Sequence, residues 1–136
     1  MVKIDLEYLG DLRMKAQHGP SGVQLQTDAP VDNQGKGESF SPTDLVATGL
    51  GSCMATIMGI VARRQDVDLR GMQVAVEKVM SQDTPRRIAA LKVNFQVPVK
   101  PDPEKIQTLE NAARTCPVAK SLHPDIQVEA HFTWGS

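Results

Sequence analysis

The sequence is poor in aromatic residues, which make up only 4% of the chain: one Trp, one Tyr and three Phe. Aliphatic side chains must therefore build the core, and few rings remain to stack on unpaired bases. Charge of one sign is also lacking. Lys+Arg number 15 and Asp+Glu 16, a formal net charge of −1. That excludes the basic patch or stripe of a nucleic-acid binder and a charged interaction tail. Only two cysteines occur in 136 residues, too few for a disulfide scaffold, and a chain of this length needs neither disulfide nor metal to hold a core. No dinucleotide or P-loop glycine motif and no Gly-x-Ser-x-Gly elbow is present. His18, His123 and His131 show no zinc-like spacing, so no metal site is expected. No run reaches the ~18 consecutive apolar residues of a membrane span. The first residues lack a basic stretch followed by an apolar one, so no secretory signal is expected. The expectation is one domain over residues 1–136, cytoplasmic, with no nucleic-acid or membrane partner and with both thiols reduced.

What is present reads as alternating strands and two helices. Residues 2–9 and 12–17 are short runs parted by the turn signal Gly10-Asp11. A second turn, residues 19–22, leads to Val23, Leu25 and Thr27 alternating with polar residues, the period of a half-buried strand. Residues 28–41 form a long polar loop, and such loops are often functional. Ser41-Pro42-Thr43-Asp44 then offers a hydroxyl cap, a proline at the first helical position and a carboxylate at the third. The helix it opens runs to about Arg64 and is apolar nearly all round, as a central buried helix would be. Its interior glycines, Gly49, Gly51 and Gly59, are read as points of close packing. Two more alternating strands follow, one from Met72 and one centred on Leu91 to Val99. Asp102-Pro103-Glu104 opens a second helix, Pro117 breaks or restarts it, and Ile126 to Trp134 alternate strictly. The order βββ–α–ββ–α–β predicts an α+β fold, an antiparallel sheet with helices on one face.

The two thiols are open to two readings each. Cys53 lies in mid-helix, where a cysteine commonly serves as a small buried hydrophobe, and where the helix dipole does little to its pKa. As a reactive thiolate it would need a nearby cation or hydrogen-bond donor. Cys116 precedes Pro117, so it is a helix cap whose free backbone N–H groups favour a thiolate, or else a core residue ending the previous stripe. Their separation is nothing like Cys-x-x-Cys, so only the fold could bring them together.

Residues 39–47, Ser-Phe-Ser-Pro-Thr-Asp-Leu-Val-Ala, run into Gly49-Leu50-Gly51-Ser52-Cys53-Met54, and this stretch resembles the central-helix signature of the OsmC/Ohr family. Cys116-Pro117-Val118-Ala119-Lys120-Ser121-Leu122 resembles that family's second-cysteine motif. With the element order, the resemblance spans essentially the whole chain. It implies an intertwined homodimer with long central helices packed together and active sites at the subunit interface. It also implies a thiol peroxidase acting on organic hydroperoxides or hydrogen peroxide. Cys53 would be the attacking thiolate and Cys116 the resolving thiol. An external dithiol would restore both, with no other cofactor. Peroxidase members typically carry a glutamate directly after the helix-opening proline, paired with an activating arginine. Here that position is Thr43, and the carboxylate comes one residue later at Asp44. Arg13 is the candidate activating arginine. A small hydrophobic-ligand binder and a redox sensor without turnover are the alternative functions.

Overall fold

The computed structural model describes residues 1–135, which form two compact units, residues 1–46 and residues 47 onward. The first unit is an antiparallel meander, with β1 (Ile4–Gly10), β2 (Arg13–His18) and β3 (Gln24–Asp28) in that order. The turn at Gly10-Asp11 is tight. Gly10, Asp11 and Leu12 all have positive φ, and the register shifts by a bulge between Tyr8 and Gly10. Pairing of β2 with β3 sets Arg13 directly across from Asp28. The loop that follows is ordered by its own hydrogen bonds, Gly35 N–H to Pro30 O and Gly37 N–H to Ala29 O. Only a glycine fits at Gly35, because a Cβ there would collide with the Ala29 carbonyl.

Helix α1 (Pro42–Arg64) starts in this unit. Ser41 N–H donates to Asp44 Oδ2 at 2.9 Å, and Asp44 N–H donates to Ser41 Oγ at 3.1 Å. That is a reciprocal capping box in which the shorter Asp does the work of Glu. By length and composition α1 could cross a bilayer, although no unbroken apolar run suggested it. Gly, Ser, Thr and Ala dilute the run without making the helix polar. It is the core helix of the second unit.

That unit packs α1 on a three-stranded sheet of β4 (Gln73–Met80), β5 (Ile88–Val97) and β6 (Gln127–Trp134), with β5 in the middle. Leu50, Met54, Met58 and Ala62, four residues apart on α1, are buried together with Leu91, Val93, Phe95 and Val97 of β5. Alternation on β5 thus reads correctly as one face in and one face out. β4 and β5 are antiparallel, as expected, whereas β6 runs parallel to β5. Alternation fixes which face a strand buries but not its partner's direction. The crossover through α2 (Pro103–Arg114) and α3 (Pro117–Ser121) brings the chain back to the start of the sheet, and so makes β6 parallel.

Of the three glycines on α1, only Gly51 marks close packing within the chain. A Cβ there would stand 2.7 Å from Val76 Cγ2, but one at Gly49 or Gly59 meets nothing within 4 Å. Nor is α1 buried all round, since Val46 and Ile60 remain exposed.

Candidate functional site

Cys53 lies one position before Met54, at the edge of the buried stripe of α1, and is half-buried. Cys116 is completely buried and continues the inward stripe of α2 after Leu109 and Ala113. Helix α2 ends at Arg114, with Thr115 as its cap; Thr115 N–H donates to Ala112 O at 3.1 Å and Cys116 N–H to Ala113 O at 3.4 Å. Pro117 has no N–H to extend the ladder and becomes the first residue of α3. Cys116 is thereby the cap of α3, and its Sγ accepts a hydrogen bond from Ala119 N–H at 3.4 Å. The fold brings the two cysteines together as free thiols, in side-chain hydrogen-bond contact.

Cap position alone predicts that Cys116 ionises easily, and its surroundings oppose that. Burial pushes its pKa above the usual thiol value. The Ala119 N–H pulls the other way, and the adjacent Cys53 adds to the rise. A five-residue helix offers few N–H groups and a short dipole, so desolvation wins. Cys116 is therefore held as a protonated thiol that can donate a hydrogen bond to the Cys53 sulfur.

The other expected site residues belong to the N-terminal unit. Arg13 Nη2 lies 2.5 Å from Glu38 Oε1 and 3.4 Å from Asp28 Oδ2. Asp28 is wholly buried and also accepts Glu38 N–H at 2.9 Å. That backbone N–H, followed by the Arg13 guanidinium, holds the Asp28 carboxyl below the usual aspartate pKa against the cost of burial. Arg13 is raised in turn, chiefly by Asp28. Asp28 and Glu38 escaped the sequence reading. The only signal for Asp28 was a charged residue closing an alternating strand, and its meaning depends on the β2–β3 register. Thr43 Oγ1 lies 3.3 Å from Ser41 Oγ, in the first turn of α1, and Asp44 closes the capping box. Among the described residues no three His, Cys, Asp or Glu side chains stand together as a metal site.

The sequence model of the OsmC-like protein family matches residues 35–131, which include both cysteines. The chain belongs to the OsmC-like family. No curated protein sequence matches it. Among solved structures, a Psychrobacter arcticus protein is 47% identical, with a TM-score of 0.93 over 98% of this chain and 96% of that one. Its provisional name is osmotic stress induced and detoxification response protein. More distant OsmC-like folds include an organic hydroperoxide resistance protein OsmC from Legionella pneumophila, at 15% identity. Its TM-score is 0.78 over 98% of this chain and 96% of that one. An organic hydroperoxide resistance protein from Elizabethkingia anophelis, at 14% identity, has the same score and the same coverage of both chains. The α+β architecture with a long central helix is the fold these OsmC-like proteins share.

Proposed function

We propose that the protein is a homodimeric thiol peroxidase that reduces organic hydroperoxides or hydrogen peroxide. The observation that carries this reading is the pair of free, touching thiols, one half-exposed and one buried and protonated. The Cys53 thiolate attacks the terminal peroxide oxygen, the O–O bond breaks, and the alcohol or water leaves with a proton. Cys53 becomes a sulfenic acid. The sulfur of Cys116 then attacks the Cys53 sulfur, water departs, and a disulfide closes. An external dithiol reduces it by exchange. The resemblance gives Arg13 the part of thiolate-activating cation. Asp28 and Glu38, which grip its guanidinium, would hold it in place of the usual glutamate at Thr43. A second copy would cover the exposed apolar face of α1 that carries Val46 and Ile60.

The test is mass spectrometry of the reduced protein after limiting peroxide, alongside steady-state peroxide consumption. Wild type should lose about 2 Da as the disulfide forms, and Cys116→Ser should instead gain one oxygen, about 16 Da. Cys53→Ser should consume no peroxide. Retained turnover in Cys53→Ser would overturn the proposal. Intact thiols after peroxide would leave the hydrophobic-ligand binder as the better account.

A further inference from the structure

Helix α3 has only five residues, too few to be stable by its own propagation. Pro117 at its first position has no N–H, so the free donors of the first turn are those of Val118 and Ala119. One atom answers both. Cys116 Sγ accepts the Ala119 N–H at 3.4 Å, and the Val118 N–H acts on the same sulfur. Otherwise α3 is held by Lys120 N–H to Cys116 O at 3.1 Å and by Ser121 Oγ–H to Pro117 O at 2.8 Å. Half-buried Val118, Ala119 and Leu122 pack it on the core. The sulfur that caps α3 is also the sulfur in hydrogen-bond contact with Cys53. An S–S bond is much shorter than any hydrogen-bonded contact between two sulfurs, so one side must move when it forms. Cys53 sits in the middle of the 23-residue α1, between the buried Leu50 and Met54 on one side and Met58 on the other. Cys116 is the junction of two helices, the second very short. The give is therefore at Cys116, whose side chain turns toward α1 and off the Ala119 N–H.

We propose that α3 is a redox-controlled gate: closing the Cys53–Cys116 disulfide removes its cap, and residues 117–121 open more often in the oxidised protein than in the reduced one. The inference rests on the thiol-peroxidase reading and adds a conformational consequence to it. Residues 117–121 lie just beyond the loop that the bond would close, so the cross-link itself lends α3 no support. Val118 and Ala119 pack against the same core as the fully buried Cys116, so opening α3 uncovers the disulfide to an incoming thiol. Once the disulfide is reduced, the Cys116 sulfur returns to the Ala119 N–H, and α3 closes. Cys116 is then sealed in the core again, away from direct oxidation. The gate opens on the state that must be attacked from outside and shuts on the state that must not be. Local opening of this kind needs no change elsewhere in the sheet.

The test makes the disulfide with diamide, which takes up the two thiol hydrogens and their two electrons, so no peroxide is present. Amide hydrogen exchange of the whole chain is then compared between the oxidised and reduced forms at one pH. Protection of the Val118 to Ser121 amides should fall about fivefold on oxidation, the scale of losing one helix cap. Protection in β5 should hold or rise. Trypsin cleavage after Lys120 should speed up by a similar factor, since it samples the open form. Cys53→Ser treated with diamide keeps the cap and should show neither change. Unchanged or increased protection of Val118 to Ser121 in the oxidised protein would overturn the inference. An equal loss in β5 would do the same, because oxidation would then loosen the whole unit. If diamide forms no intramolecular disulfide, the peroxidase reading and the gate fall together. If the disulfide forms and α3 stays protected, only the gate falls.

Discussion

Asp28 is a fully buried carboxylate that joins three parts of the N-terminal unit. It binds Arg13 across the strand pair and the Glu38 backbone at the end of the loop. Its pKa is depressed in the folded chain, first by the Glu38 N–H and then by Arg13. The sign follows from linkage. The carboxylate contributes fully above its unfolded pKa, and the contribution is lost as pH falls through the folded value, that is, below about pH 4. Thermal melts followed by circular dichroism should therefore show a drop in Tm in that window for wild type. Asp28→Asn should melt lower at neutral pH and show a shallower acid drop; an unchanged acid profile would mean that other carboxylates dominate. None of this was legible from the residues alone. Arg13 could be singled out by resemblance, but its partners lie 15 and 25 positions away, and only register and a loop closure bring them in. Cys116 teaches the converse. Its cap position could be read directly from Pro117, yet the charge state expected there was reversed by burial, a property of the packed core and not of the local sequence.

At the scale of elements, helix α1 separates what a glycine can mean. Gly51 sits where α1 meets β4, and Gly51→Ala should destabilise by about 1–3 kcal/mol through overpacking against Val76. Gly49 faces open space within the chain, so helix propensity alone predicts that Gly49→Ala gains up to about 1 kcal/mol. Urea denaturation of both variants distinguishes the two situations. A loss at Gly49 would mean that something outside the chain packs there. The strands and both long helices were readable from period and caps, because those signals are local. The parallel pairing of β5 with β6 was not, since it is decided by what the α2–α3 crossover does to chain direction.

For the whole molecule, the exposed apolar residues Val46 and Ile60 on α1 are the feature a second copy would cover. Sedimentation equilibrium should give twice the chain mass of 14.8 kDa. Ile60→Glu should shift the protein to monomer, because an unpaired charge on a buried apolar surface costs several kcal/mol, of order a hundredfold or more in dimer affinity. A dimer indifferent to Ile60→Glu would place the contact elsewhere. If Gly49→Ala also weakens self-association, the glycines that looked idle within one chain mark where two helices approach.

The contact between Cys53 and Cys116 has a thermodynamic side as well as a chemical one. The two residues bracket β4, β5 and α2, so a bond between them would close a loop of roughly sixty residues and remove about 4 kcal/mol of chain entropy from the unfolded ensemble. Oxidation would then act as a reversible staple across the second unit. The oxidised protein should melt several degrees above the reduced one, and Cys116→Ser should abolish the difference. A protein spent by peroxide would thus be harder to unfold than one ready to act, and its redox state could be read from a melting curve alone.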